Sequence, residues 1–373
     1  MKHLTRILKA CSILILLLPF SMQVHADKAT KKVIMVLSSY GEQQGEKKPG
    51  YEFDEFAKAY LVFKANGITV DIASPTGGAV EADKYDPNKP YNAKVLADTA
   101  IMKKLHNTIP TAQLIVDDYD AIFVVGGKGA MFDLPKDKAL QSFIAQIYQH
   151  QGSVAAVCHG PAALVDVKLS DGRYLIANKA INGFTNKEEK LFGQKWLPEF
   201  EFMLQDKLTE RGAMFQSSDI MLSHVAVDER LITGQNPTST VEVANALVSS
   251  IGLTPVENTP DIDDKTLALV ADFLAGDTTV LEILKQHQSD YNIGLVGMYG
   301  FYYVKLANTQ AQHNHALSLM RAAQQALKNP TLDMQIAKTQ QHLGQPVAAK
   351  QTLDLLLEAK PDYKPALDML KTL

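Results

Sequence analysis

The segment VAAVCHGPAALV, from Val154 to Val165, places a cysteine between an apolar run and a helix-like segment. The residues before Cys158 are typical of a buried strand, and Gly160 and Pro161 follow where a helix can begin. A sharp turn of this kind, called a nucleophile elbow, exposes the side chain of its central residue for reaction. Free N–H groups at a helix start stabilise a thiolate and an oxyanion. We therefore expect a lowered thiol pKa and a reactive Cys158.

The first 26 residues have the pattern of a secretory signal peptide. A basic start precedes an apolar run from Ile13 to Phe20, and a small-residue cleavage site ends at Ala26. We expect cleavage near Ala26 and a periplasmic or secreted mature chain. Cys158 would then be the only cysteine, which excludes an internal disulfide. An unpaired thiol in an oxidising compartment is either buried and inert or used in chemistry.

The composition argues against several other functions. The chain has 373 residues, 46% of them hydrophobic, and a net charge of −4, so electrostatics give no case for nucleic-acid binding. There is no Gly-rich phosphate loop, and we expect no cofactor. The densest histidine pair, His313 and His315, lies in a helical region where residues two apart do not share a face. We therefore expect no metal site.

The elements around Cys158 alternate between strands and helices, which predicts an α/β domain with a mostly parallel sheet over residues 27–254. From about residue 255 onward the patterns are helical only, which predicts a smaller all-α domain over residues 255–373. The predicted strands are Lys32–Ser39, Thr69–Ser74, Asp120–Val125, Ser153–Val157 and a hairpin within Met221–Gly234, and the predicted helices are Tyr51–Asn66, Ala93–Lys104, Lys136–His150 and Thr238–Ile251.

The C-terminal region contains two similar segments. Each is an alanine-rich helix followed by a proline, Pro330 in one and Pro361 in the other. This spacing resembles a tetratricopeptide repeat, although an ordinary helical hairpin would give a similar pattern. The helices could bind a protein partner, mediate self-association or cover the active site, and a homodimer is left open.

Six motifs in the α/β region together resemble the DJ-1/PfpI superfamily, close to its Hsp31-like glyoxalase III branch. The resemblance covers about residues 32–252 and not the helical tail. It implies a flavodoxin-like, doubly wound fold. The motifs are Gly50–Glu55, Ser74–Gly78, Gly126–Gly129, Ala155–Pro161, Gly183–Glu189 and Leu231–Pro237.

The resemblance implies a cofactor-independent conversion of methylglyoxal or glyoxal to lactate or glycolate. Cys158 falls on the nucleophile, His159 on its base and Glu189 on the acid partner of the histidine. Glu55 falls on an essential glutamate beside the sulfur. The backbone N–H groups of Gly127 and His159 would form the oxyanion hole.

Lys128 departs from the family pattern, because a histidine usually follows the glycine pair. A lysine there could favour carboxylate-bearing substrates or lower the thiol pKa further, or only its backbone could matter. Three other functions stay open: a PfpI-type peptidase or amidase, a holdase chaperone or protein-interaction scaffold, and a redox sensor in which Cys158 forms a sulfenic acid.

Overall fold

The computed structural model describes residues 30–373, so the predicted signal peptide lies outside the described residues. Buried apolar runs form most of the strands, as expected for a sheet covered on both faces. The strands are β1 (Lys32–Val36), β2 (Thr69–Ser74), β3 (Ile109–Pro110), β4 (Ala121–Val124), β5 (Ser153–Val157), β6 (Ala180–Ile181), β7 (Met214–Phe215), β8 (Val225–Asp228) and β9 (Leu231–Gly234).

Seven of these strands form one sheet in the order β3-β2-β1-β4-β5-β9-β8. All neighbours are parallel except β8 and β9, which form an antiparallel hairpin. Strands β6 and β7 pair separately. The structure confirms the predicted flavodoxin-like, mostly parallel sheet. In such sheets ligands bind beyond the carboxyl ends of the strands, which is where β4 and β5 lead into Gly126 and Cys158.

Seven helices accompany the sheet in the described part of the chain. Their apolar faces pack on it in one continuous core. The helix predicted over Ala93–Lys104 is instead two helices, because Asp98 ends one segment and caps the next by accepting hydrogen bonds from the N–H groups of Ala100 and Ile101. The helices are α1 (Phe53–Ala65), α2 (Pro90–Leu96), α3 (Thr99–Leu105), α4 (Lys138–Gln149), α5 (Asn186–Phe192), α6 (Leu204–Glu210) and α7 (Thr240–Ser250).

A helical region follows, and we call residues 262–370 the tail. Its core also contains Ile220 and Leu222 from the loop before β8, so the tail packs directly on the α/β region. The boundary at residue 254 and the tetratricopeptide assignment stay predictions. The tail helices are α8 (Ile262–Leu274), α9 (Val280–Gln286), α10 (Ile293–Tyr303), α11 (Gln310–Leu327), α12 (Pro330–His342), α13 (Pro346–Ala359) and α14 (Lys364–Leu370).

A buried ion pair connects the tail to α1. The Lys58 ammonium lies 2.8 Å from Asp261 and 2.7 Å from Asp264, and its side chain is only 8% exposed. Such a pair is costly to break, because removing one partner leaves the other charge buried. None of the helices between residues 30 and 373 combines the length and apolarity needed to cross a membrane.

Candidate active site

Cys158 lies at a strained turn directly after β5. Its φ angle is 59°, in the left-handed region that a non-glycine residue rarely adopts, and its N–H donates to the Gly234 carbonyl at 2.9 Å. This is the geometry expected of an elbow. The α-helix expected after the turn is instead a short 3-10 segment, Gly160–Leu164, so the stabilising N-terminus of a long helix is missing.

The imidazole of His159 bridges the thiol and a carboxylate. Its Nε2 lies 2.7 Å from Oε2 of Glu189, and its Nδ1 lies 3.4 Å from the Cys158 sulfur. A carboxylate only accepts hydrogen bonds, so the proton belongs on Nε2 and the lone pair of Nδ1 faces the thiol. Phe184 packs against the ring at 4.5 Å. The structure thus brings together the three residues of the expected triad.

Glu55 approaches the thiol from α1. It is fully buried, and its Oε2 accepts a hydrogen bond from the Gly126 N–H at 2.8 Å. A Cβ on Gly126 would lie 2.7 Å from that oxygen and 2.8 Å from the Cβ of Cys158, so the two side chains converge where only glycine fits. The early helix of the sequence prediction therefore carries its glutamate to the sulfur.

The pKa of the Cys158 thiol is raised well above its ordinary value, which corrects the expectation of a thiolate at neutral pH. Burial of the sulfur is the largest cause, and the neighbouring Glu55 adds to it, while the charge of Lys128 opposes both. Burial likewise raises the pKa of Glu55 well above its usual range. The raised pKa values favour the protonated form of both groups, so the thiol needs a base when it reacts.

Gly127 and Lys128 form the opposite rim of the site. Gly127 has a φ of 93°, and a Cβ there would lie 2.4 Å from the Glu52 nitrogen. In the part of the chain that the structure describes, neither the Gly127 nor the His159 N–H donates to a protein acceptor, so both remain for a substrate oxygen. Lys128 lines the same cavity as the thiol.

This cavity has a volume of about 380 Å³ and contains residues that sequence reasoning missed. Glu52 lies at the start of α1, where burial and the nearby Asp54 and Asp83 raise its pKa to about 7. Glu52 could have been found from the sequence, because it precedes Glu55 by three residues, about one helical turn. Met298 and Tyr302 reach the cavity from α10, and no local pattern could have shown that.

Glu188 lines the cavity and is not the carboxylate that contacts His159. Its carboxylate accepts hydrogen bonds from Gln235 at 3.1 Å, from Asn236 at 2.9 Å and from the Met221 N–H at 2.9 Å. It also forms a capping box with Thr185 at the start of α5. Because Glu189 is the next residue, these hydrogen bonds also keep its carboxylate within reach of His159.

The elbow and the converging carboxyls occupy the segment that matches a known family model. The DJ-1/PfpI family model matches residues 48–250. The chain belongs to the DJ-1/PfpI family. Within residues 30–373 no cluster of three or more histidine, cysteine, aspartate or glutamate side chains could hold a metal ion.

Curated relatives match part of the chain. The glutathione-independent glyoxalase HSP31 of Saccharomyces cerevisiae is 32% identical over 234 residues, which cover 57% of this chain and 94% of the relative. The crystal structure of glyoxalase III from Candida albicans has a TM-score of 0.55 and 27% identity, covering 59% of this chain and 97% of that one. The Rapid Encystment Protein of Francisella tularensis matches with a TM-score of 0.55 and 34% identity, covering 60% and 99%.

Proposed function

We propose that this protein is a glutathione-independent enzyme of the glyoxalase III kind, which converts 2-oxoaldehydes such as methylglyoxal to 2-hydroxy acids on Cys158. The relatives at about 30% identity support this activity. The observation that carries the proposal is the placement of His159 between the Cys158 sulfur and the Glu189 carboxylate, with Glu55 buried beside the same sulfur.

The first step forms a hemithioacetal. The Cys158 sulfur attacks the aldehyde carbon while its proton passes to Nδ1 of His159, because the raised thiol pKa requires base assistance. The carbonyl electron pair moves onto the aldehyde oxygen, which accepts hydrogen bonds from the Gly127 and His159 N–H groups. A protonated Glu55, favoured by its own raised pKa, can deliver a proton to that oxygen.

The second step moves a proton between the two carbons. Glu55, left as a carboxylate once it has given its proton to the aldehyde oxygen, removes the proton from the former aldehyde carbon, and the His159 imidazolium protonates the ketone oxygen, which gives an enediol. The Glu55 carboxyl then protonates the neighbouring carbon and takes the proton of the first hydroxyl, which gives a thioester of the 2-hydroxy acid. The first carbon is oxidised and the second is reduced, so no external oxidant or reductant is needed.

The last step is hydrolysis of the thioester. Water adds to the thioester carbon with His159 as base, the carbon–sulfur bond breaks, and the sulfur takes back a proton. Glu189 stabilises the imidazolium that forms in both acid–base steps. The net reaction is addition of one water to the 2-oxoaldehyde.

The burial of the thiol supports a small substrate over a peptide. Cys158 is only 4% exposed and lines a cavity of about 380 Å³. A peptidase would need room for an extended chain on both sides of the sulfur. We also propose export of the mature chain after cleavage near Ala26, which N-terminal sequencing of the secreted or periplasmic protein would test.

The test of the proposed function is lactate release from methylglyoxal by the purified protein without glutathione. We expect turnover, and we expect Cys158→Ala to lower it by about 10³-fold or more, because the nucleophile is lost. Circular dichroism would show that the variant is folded. Absence of lactate with the unmodified protein, or equal rates with the variant, would overturn the proposal and favour a binding role.

A further inference from the structure

The catalytic cavity is larger than methylglyoxal requires. Its volume of about 380 Å³ falls within the range of roughly 300–1,000 Å³ typical of pockets for drug-sized ligands. Methylglyoxal carries only a methyl group on its ketone carbon. A substrate bound at Cys158 would therefore leave the far side of the cavity empty unless its substituent is larger.

Part of the cavity lining is apolar and comes partly from the tail. Met298 and Tyr302 of α10 line it, together with Phe192 of α5. The Phe192 and Tyr302 rings meet edge to face with their centroids 4.9 Å apart. Met298 is 43% exposed, so its side chain is accessible to a ligand in the cavity.

The orientation of α10 is fixed by packing on its other side. Val296 and Tyr299 are fully buried in the tail core, so Met298 and Tyr302, four residues apart, share the face toward the cavity. A Cβ on Gly300 would lie 2.8 Å from the Ala316 carbonyl oxygen, which shows how closely α10 approaches α11. The apolar surface is therefore preformed.

The charges near the sulfur do not favour an anionic substrate. Lys128 lines the cavity, but so do the carboxyl groups of Glu52, Asp83 and Glu188. The single positive charge is thus balanced within the same cavity. Of the three readings open for Lys128, a preference for carboxylate-bearing substrates is disfavoured, and a neutral apolar substituent fits better.

We propose that α10 is the specificity wall of the enzyme and that it selects 2-oxoaldehydes with an aromatic or bulky apolar substituent. Met298 and Tyr302 contact that substituent while the aldehyde carbon lies at the Cys158 sulfur. This inference rests on the proposed function for the reaction and extends it to the substrate class.

The first test compares kcat/KM for phenylglyoxal and methylglyoxal. The ratio of the two values is followed in the unmodified protein, in Met298→Ala and Tyr302→Ala, and in the control Leu355→Ala, whose side chain is 63% exposed on α13. We expect the phenylglyoxal-to-methylglyoxal ratio to fall about tenfold in each α10 variant, because lost apolar contact in a pocket changes selectivity by roughly 10–200-fold. Leu355→Ala should keep the ratio.

A second measurement tests the specificity wall without requiring the proposed reaction. Bromoacetophenone and bromoacetone alkylate a thiol by the same displacement, in which the carbon–sulfur bond forms as bromide leaves. They differ in a phenyl or methyl substituent. The ratio of their alkylation rates at Cys158, followed by mass spectrometry, should fall in Met298→Ala and Tyr302→Ala.

The outcomes are distinguishable. If neither aldehyde is turned over but the alkylation ratio falls, the proposed reaction is wrong and the specificity wall stands. If both aldehydes are turned over and neither ratio changes in the α10 variants, the reaction stands and the wall is overturned. Equal losses for both substituents in both assays would also overturn it.

Discussion

The catalytic cavity has two walls from different regions of the chain, and they differ in nearly every physical respect. The wall of the α/β region holds buried polar groups at fixed distances, such as 2.7 Å between His159 and Glu189. The tail wall presents apolar side chains, Met298 and Tyr302, from one face of a helix. Proton transfer needs atoms held within hydrogen-bond reach, whereas recognition of an apolar group needs only complementary surface.

The largest effect on turnover should come from the polar wall. Glu189→Gln keeps the shape of the side chain but removes the charge that stabilises the imidazolium of His159. We expect kcat to fall by about 10²–10⁴-fold for both phenylglyoxal and methylglyoxal, with their ratio unchanged. Steady-state kinetics would check this, with the exposed Glu199→Gln as the matched control. A change in the ratio would show that the polar wall also takes part in substrate selection.

Gly126→Ala should lower activity by displacing catalytic groups, because it removes none of them. The added Cβ would meet Glu55 Oε2 at 2.7 Å and the Cys158 Cβ at 2.8 Å, and both groups must move. We expect kcat to fall about 10²-fold, because displacement by about 1 Å has that effect. Gly172→Ala is the control, since a Cβ there would have no atom within 4 Å and the residue lies outside the cavity. Similar activity of the two variants would contradict the described packing.

Lys58→Met tests what holds the tail wall in place. It leaves Asp261 and Asp264 without their buried partner, and we expect the free energy of unfolding to fall by about 3 kcal/mol. Only part of the loss should disappear below about pH 7, because burial raises the pKa of Asp264 to about 7, whereas Lys58 lowers the pKa of Asp261, which stays ionised there. Urea denaturation followed by circular dichroism would measure both effects.

The control for that experiment is Lys64→Met on the same helix. Lys64 pairs with Asp98 while its side chain is 57% exposed, and surface pairs contribute about 0–1 kcal/mol. Equal destabilisation by the two substitutions would show that the Lys58 pair does not hold the tail.

The smallest effect is expected from Glu52→Gln, at the junction of the two walls. Burial raises the pKa of Glu52 to about 7, so above that pH it carries a negative charge that raises the pKa of Cys158. Removing the charge should move the pH profile of Cys158 alkylation by iodoacetamide down by about one pH unit. The exposed Glu257→Gln should leave the profile unchanged. A shift upward would contradict this electrostatic account.

The sheet was predictable because buried parallel strands are continuous apolar runs. Strands β2 and β5 occupy the residues predicted, Thr69–Ser74 and Ser153–Val157. The helix after Cys158 was not, since Gly160 and Pro161 are compatible with either an α-helix or a 3-10 turn. The pairing of β6 with β7 joins residues far apart in sequence, and nothing local specifies it.

The residues around Cys158 were found from motifs, whereas their electrostatics and the second wall were not. The thiol pKa depends on burial and on Glu55, which is about a hundred residues away in sequence. Helix α10 is apolar around most of its circumference, so its sequence shows that it is buried but not which residues face the cavity. Only docking of the tail on the α/β region decides that.

Met298 lies outside residues 48–250, the segment that matches the family model, and this has an evolutionary consequence. Substitutions in α10 can change which aldehyde fits without touching the strained turn or the triad, so selection can explore new substrates at little risk to the chemistry. Divergence among proteins that carry this tail would then concentrate on one helical face, at Met298 and Tyr302, while the elbow stays constant.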